Sequence, residues 1–168
     1  KLPEIQVRKP RIISITCFEE KSKNLRLLID AFTILAKDRK EPELLLVGEG
    51  ADLETTKQYA AQKKLPYGAI RFTGLLEGEE LVHELQQSTC LALTSNYETF
   101  GIVAYEAMAC GIPVVSTDVA DLKNFIKPDS GRVIPSGDPE ALVAALTEVL
   151  DYPQRFNSIE MNRRVEQE

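Results

Sequence analysis

The chain has 168 residues, of which 43% are hydrophobic, and this length is enough for one full hydrophobic core without disulfide support. Its formal net charge of -6 argues against a general nucleic-acid surface or an anionic-membrane surface, although a local cationic site for phosphates remains compatible with it. The sequence contains no apolar run near the ~20 residues of a membrane span and no recognisable signal peptide.

The three cysteines are odd in number and lack CxxC spacing. Cys17, Cys90 and Cys110 each lie at the end, start or edge of an apolar segment. We therefore expect buried thiols in a reducing, cytoplasmic compartment and no bound metal. His83 is the single histidine, falls within a predicted helix, and is interpreted as a structural or surface residue.

Apolar segments of strand type alternate with amphipathic segments along the chain. The strand-type segments are 11–17, 44–47, 70–73, 90–93, 113–116 and 132–134. Helical spacing is found over 25–38, 52–64, 77–87, 100–110 and after Asp138-Pro139, with a polar loop predicted at 19–24. This alternation predicts an α/β fold, a doubly wound parallel sheet of about six strands with helices on both faces.

Local signals refine two of these helical segments. Thr99 is a candidate cap for the helix over 100–110, and Gly111 is expected to end that helix in a left-handed conformation. In the helix over 77–87, the inward residues are predicted to be Leu81, Val82 and Leu85.

Residues 1–152 are expected to form the main domain, and the polar segment 153–168 is predicted as a loose or partner-dependent helix. Because the first residue is Lys1 rather than Met, we expect a piece of a longer protein.

The polar and glycine-containing loops of the chain share one position in the predicted fold. Each follows a strand, and ligands of parallel sheets bind beyond the carboxyl ends of the strands. We therefore expect one ligand site from the loops 21–24, 48–50, 74–76, 95–101 and 117–121.

Several residues at this edge have both a functional and a structural interpretation. Gly101 near a helix start allows a phosphate to approach backbone amides, or simply allows close packing. Lys21 and Lys23 could neutralise a diphosphate or form a solvated charged loop. Glu98 taken alone is typical of a solvated surface charge.

Glu106 is the more unusual carboxylate, because its neighbours 102, 103 and 107–109 are apolar. Burying it without a partner would cost several kcal/mol, so we expect it at a cleft edge or hydrogen bonded. The vicinal hydroxyls of a ribose are suitable donors to such a carboxylate, which suggests a nucleotide ligand.

The segment from Glu98 to Pro113 resembles the E-x7-E signature of the retaining, nucleotide-sugar-dependent glycosyltransferases of family 4, also called group 1. Weaker pieces follow in family order: Lys23-Asn24-Leu25, Leu46-Val47-Gly48-Glu49-Gly50, 70–74, 131–135 and 137–142. The resemblance implies the Rossmann-like, C-terminal donor-binding half of a two-domain GT-B enzyme, whose N-terminal acceptor-binding half lies outside this chain.

The resemblance also implies roles for individual residues. Glu98 would bind hydroxyls of the donor sugar and Lys23 would contact the diphosphate, which makes these two the expected catalytic residues. The remaining expected donor-binding residues are Lys21, Gly48, Leu75 beside the base, the amides of Phe100, Gly101 and Ile102, and Glu106 at the ribose.

The implied chemistry is transfer of a sugar with retention of configuration. No metal or other cofactor is expected, because cations and amides would stabilise the leaving diphosphate. The implied partners are a nucleotide-diphosphate sugar, the N-terminal acceptor half and a glycan or lipid-linked acceptor, without nucleic acid. The expected location is cytoplasmic, with any contact to a membrane made through the other half.

Two departures from the family pattern stand out. Members usually have an arginine five residues before the lysine that matches Lys23, and that position is Phe18 here, with Cys17 beside it. Lys21 could supply the missing contact, or a one-residue shift could hide the correspondence. After the fifth strand, Ala120-Asp121 begins a segment that replaces the usual Gly-Gly-x-Pro-Glu. Two alternatives therefore remain: another GT-B enzyme, such as a sugar-nucleotide epimerase or a phosphorylase, and a non-catalytic binding module.

Overall fold

A computed structural model describes residues 10–167 of the chain. Within these residues one sheet contains six strands in the order β3-β2-β1-β4-β5-β6, and every neighbouring pair is parallel. The strands are β1 Arg11–Ile15, β2 Glu43–Val47, β3 Ile70–Gly74, β4 Cys90–Leu93, β5 Val114–Thr117 and β6 Gly131–Ile134. The predicted doubly wound parallel α/β fold is confirmed.

Helices connect successive strands and flank the sheet. They are α1 Glu20–Lys23, α2 Leu25–Leu35, α3 Leu53–Ala61, α4 Gly78–Gln87, α5 Ile102–Ala109, α6 Leu122–Phe125, α7 Pro139–Asp151 and α8 Ser158–Val165, with 3-10 turns at Ala36–Asp38 and Pro153–Arg155. The predicted cap of α7 is confirmed, because the Asp138 side chain accepts a hydrogen bond from the Ala141 amide.

The core lies between the sheet and its helices. Strands β2, β4 and β5 are buried along their whole length, as expected for parallel strands covered on both faces. Helix α2 packs against α7, and α5 packs against α8. The strand order changes direction between β1 and β4, so the loops after these two strands border one crevice.

Several local predictions are corrected by the structure. Helix α1 lies within the segment predicted as a polar loop, and α5 begins at Ile102 after Gly101 rather than after a Thr99 cap. Val82 is exposed, because Leu81 and Leu85 are four residues apart and share the inner stripe of α4 while Val82 lies off it. Of the three cysteines only Cys90 is buried.

The C-terminal segment, predicted as a loose or partner-dependent helix, contains α8, and this helix lies against α5. Met161 is buried in the core, and Ser158 and Asn162 donate hydrogen bonds to the carbonyls of Gly111 and Ala109. Side chains of α8 thereby bind carbonyls at the C-terminal end of α5, where helix geometry leaves acceptors unpaired.

Candidate functional site

A cavity of about 380 Å³ opens at the carboxyl ends of the strands, beside the first turn of α5. It is lined by Ile15, Thr16, Cys17, Lys23, Val47, Gly48, Glu49, Leu75 and the continuous segment 98–103. The structure therefore brings together seven of the candidate residues named from the sequence: Lys23, Gly48, Leu75, Glu98, Phe100, Gly101 and Ile102. Of the five predicted loops, 117–121 contributes no residue to this lining.

The Lys23 ammonium and the Glu98 carboxylate form an ion pair in the cavity wall. Lys23 Nζ lies 2.7 Å from Glu98 Oε2, and the two side chains are only 15% and 17% exposed. The interpretation of Glu98 as a solvated surface charge is therefore wrong. This partly desolvated pair is less screened by solvent than a pair on the open surface.

Backbone hydrogen bonds hold the two loops that carry this pair. The carbonyl of Ser22 accepts from the Asn96 amide at 2.7 Å, and the Thr94 hydroxyl donates to the Lys23 carbonyl at 3.0 Å. The Asn96 side chain also donates to the Lys21 carbonyl. The positions of Lys23 and Glu98 are consequently fixed by their own main chain.

The opposite wall is built where the ends of β1 and β2 continue to pair. The amides of Thr16 and Phe18 donate to the carbonyls of Val47 and Glu49, each at 2.9 Å. Gly48 lies between them at φ 132°, and a Cβ added there would lie 1.8 Å from the Thr16 carbonyl oxygen. This approach of two backbones requires glycine.

Gly101 precedes α5 in the left-handed conformation, at φ 64°. A Cβ at this position would meet the Leu122 side chain at 2.9 Å, so the glycine also allows α6 to pack closely. The Ile102 and Val103 amides that follow lie in the first turn of α5, where amides have no intrahelical acceptor. Both interpretations of Gly101, close packing and an open helix start, are compatible with this geometry.

Three large apolar side chains line the cavity while remaining well exposed. They are Leu75, Phe100 and Ile102, and Phe100 is 75% exposed. An exposed apolar rim beside a polar wall suits a ligand that has both a ring face and charged groups.

The structure separates Phe18, where the family arginine was expected, from its neighbour Cys17. Phe18 is completely buried and its ring lies 6.0 Å from that of Phe72, so it belongs to the core. Cys17 is exposed and lines the cavity, which corrects its prediction as a buried thiol. Because the backbone that follows β1 places Cys17 outward and Phe18 inward, the one-residue shift considered above fits the structure.

The sequence reasoning did not single out Thr16 or Cys17 as lining residues, whereas Glu49 lies in the loop 48–50 that was predicted to border the site. No local signal separated Cys17 from Phe18, because both follow the end of β1 at Ile15, where the alternation of side chains between faces can no longer be counted. Among the described residues of the lining, Lys23 is the one cation, and two carboxylates, Glu49 and Glu98, also border the cavity.

Lys21 and Glu106 lie outside this lining. Both side chains are exposed, and within residues 10–167 the Glu106 carboxylate makes no hydrogen bond or ion pair. The buried face of α5 is supplied instead by Ala104, Ala107 and Met108. Of the two expectations for Glu106, a cleft edge or a hydrogen-bonded side chain, the second is not met within the described residues, and the carboxylate is exposed on α5 outside the lining.

Within residues 10–167, no cluster of three or more histidine, cysteine, aspartate or glutamate side chains is arranged to hold a metal ion. The helices of the described part of the chain are all too short or too polar to cross a membrane.

A family model and the sequences of known proteins place the chain among similar proteins. The family model described as "Glycosyl transferases group 1" matches residues 3–167. A GDP-mannose-dependent alpha-(1-6)-phosphatidylinositol dimannoside mannosyltransferase of Mycobacterium tuberculosis is 31% identical over 139 residues, which are 82% of this chain and 35% of that protein. The glycogen synthase of the same species is 32% identical over 80% of this chain and 32% of its own length.

Solved structures show the same fold. The sucrose-phosphate synthase of Thermosynechococcus elongatus superposes with a TM-score of 0.83 at 27% identity, covering 97% of this chain and 42% of its own. The chain spans about a third of the length of the curated relatives that it matches.

Proposed function

The chain belongs to the group 1 glycosyl transferases, and from this premise we propose that it is the donor-binding part of a retaining, nucleotide-sugar-dependent glycosyltransferase. The observation that carries the proposal is the cavity at the strand ends, where Lys23, Glu98 and the first turn of α5 meet. A cation and free helix amides suit a diphosphate, and a carboxylate suits sugar hydroxyls.

The candidate residues take roles that match their chemistry. Lys23 and the Ile102 and Val103 amides bind the diphosphate, and Glu98 accepts hydrogen bonds from the donor sugar. Gly48 keeps the floor of the cavity open, and Leu75 packs against the base. Glu106 lies one turn further along α5, where its exposed carboxylate is free to accept from ribose hydroxyls.

The residues of this chain support the transfer step through charge. When the bond between the sugar and the distal phosphate breaks, negative charge develops on the leaving diphosphate. Lys23 and the helix amides stabilise that charge by hydrogen bonds and by the helix dipole, with no metal required. We propose that a glycan or lipid-linked acceptor is supplied by another part of the full-length protein, which operates in the cytoplasm.

Titration calorimetry of the chain tests this assignment, with GDP, UDP and ADP and the corresponding nucleotide sugars as probes. One relative is named as GDP-mannose dependent, so GDP-mannose is included. We expect at least one base to bind, and Lys23→Met to weaken that binding about tenfold or more because a phosphate loses its cation.

Lys37→Met is the matched control, because it removes the same charge from an exposed turn on the other side of the fold and should leave affinity unchanged. Lys21→Met shows whether that exposed lysine reaches the ligand. Absence of binding by all the nucleotides and nucleotide sugars, or equal losses in Lys23→Met and Lys37→Met, would contradict the assignment.

A non-catalytic nucleotide-binding or sugar-binding module is the second candidate. Cys17 in the cavity wall, where a cation would help a diphosphate, favours it. Full-length protein carrying Glu98→Gln decides between the two: the transferase assignment predicts loss of sugar transfer, whereas unchanged transfer or glycan level would favour the module.

A further inference from the structure

The one cation among the described lining residues of the cavity is already paired. Lys23 Nζ lies 2.7 Å from Glu98 Oε2, and both side chains are largely shielded from water. The Lys23 ammonium has three donors, so a phosphate that enters either shares it with Glu98, which places two anions side by side, or displaces Glu98 from it. The carboxylate that is released then needs a new hydrogen-bond donor, because an unpaired, partly buried charge is costly.

The other charges of the cavity do not relieve this competition. Glu49 is a second carboxylate of the lining and is exposed. Besides Lys23, the side-chain donor to Glu98 in the described part of the chain is the Ser95 hydroxyl, and its hydrogen bond to Oε2 is long at 3.5 Å, so it compensates the carboxylate charge only weakly. The lining therefore contains two carboxylates for one ammonium group. A dianionic ligand is repelled by these carboxylates unless it also offers Glu98 a new hydrogen-bond donor.

Nucleoside diphosphates and nucleotide sugars differ in how they meet this requirement. A nucleotide sugar carries hydroxyl donors beyond its distal phosphate, and they can pair with Glu98 once Lys23 has turned to the phosphate. A free nucleoside diphosphate carries no such donors, and its terminal phosphate bears an additional negative charge near neutral pH. It would leave Glu98 unpaired next to that charge.

We propose that the Lys23–Glu98 pair is the resting state of the site and that Glu98 acts as a specificity residue, favouring the sugar-bearing donor over the free nucleoside diphosphate. Only a ligand that offers a phosphate to Lys23 and hydroxyls to Glu98 opens the pair without leaving a charge unpaired. The proposal rests on the proposed function and adds a discrimination between donor and product within the same cavity.

Affinities of matched ligands test the proposal on the 168-residue chain. GDP with GDP-mannose and UDP with UDP-glucose are titrated into the wild type and Glu98→Gln. Glutamine keeps the size of the side chain and removes the charge. We expect Glu98→Gln to raise the affinity for the nucleoside diphosphate about tenfold, and to change that for the nucleotide sugar by less than about threefold.

Glu49→Gln is the matched control, because it removes the same charge from the same cavity without touching Lys23. It should raise the affinity for the nucleoside diphosphate and for the nucleotide sugar by about the same factor, about twofold, because it removes only general repulsion. This factor is smaller than the one expected for Glu98→Gln with the nucleoside diphosphate. In a Lys23→Met background, Glu98→Gln should have no larger effect than Glu49→Gln. Thermal unfolding of each variant verifies that it is folded.

The possible results separate this inference from the proposed function. Equal effects of Glu98→Gln and Glu49→Gln, or an unchanged ratio of the two affinities, would overturn the inference while nucleotide binding stands. If every variant fails to bind every probe, the inference and the proposed function fall together.

Discussion

At the scale of single residues, the chemistry of the cavity wall depends on which of two adjacent side chains points into it. Cys17 lies in the wall and Phe18 lies in the core, although they are adjacent in the chain. The sequence alone left open which of them takes the position of the family arginine, because the alternation of faces cannot be counted through an irregular loop. The Lys23–Glu98 contact was equally out of reach, since 75 residues separate its partners.

The placement of Cys17 predicts a pattern of thiol reactivity. At pH 8, iodoacetamide should modify exposed Cys17 first. Cys90 should react only after unfolding, because complete burial raises the pKa of its thiol to about 12 and keeps it protonated. A saturating nucleotide should slow the modification of Cys17, which lines the cavity, while half-buried Cys110 serves as the internal reference.

Peptide mass spectrometry measures the rate at each cysteine. Cys17 that reacts no faster than Cys90 would contradict its exposure. A ligand that binds tightly without protecting Cys17 would place the nucleotide elsewhere.

At the scale of elements, the sheet and most helices were predictable because their signals are local. Strand β4 was predicted with the bounds that the structure gives, and the Asp138-Pro139 start of α7 was confirmed. Errors arose where tertiary packing contributes, as at the start of α5. Gly101 is the N-cap there, in a left-handed conformation and close to Leu122, and no side chain of the described residues caps the helix. Helix α8 was underestimated for the same reason, since few of its residues are apolar and its hydrogen bonds reach back to α5.

Docking of α8 predicts a contrast between two apolar residues of this helix. Met161 is buried, so Met161→Ala should lower the free energy of unfolding by about 2–4 kcal/mol through lost burial and a cavity. Ile159 is well exposed, so Ile159→Ala should change it by less than about 0.5 kcal/mol.

Equilibrium denaturation with urea measures both variants. If both substitutions changed the free energy of unfolding by similar small amounts, α8 would not pack against α5 in solution. The account that α8 stabilises the helix of the site would then be wrong.

At the scale of the whole molecule, the parallel sheet gathers distant segments at one edge. Lys23, Gly48, Leu75 and the segment 98–103 come from four separate connections, and the rule that loops after parallel strands share an edge predicted their proximity. That rule does not determine which side chains enter the cavity. Glu106 shows the limit, because the sequence left open whether it lies at a cleft edge or has a hydrogen-bonded partner, and in the structure its side chain is exposed and outside the lining.

The central claim is that this edge binds the diphosphate of a nucleotide sugar. It is tested most directly by amide-resolved NMR of the chain during titration with GDP, UDP and ADP. The groove lined by Lys57, Leu65 and Gly68 lies beside α3 and β3, away from the proposed site, and serves as the internal reference. With at least one nucleotide, we predict saturable shifts at Gly48, Gly101 and Ile102 and none at Gly68; unperturbed cavity amides with all three nucleotides, or shifts confined to the reference groove, would contradict the account.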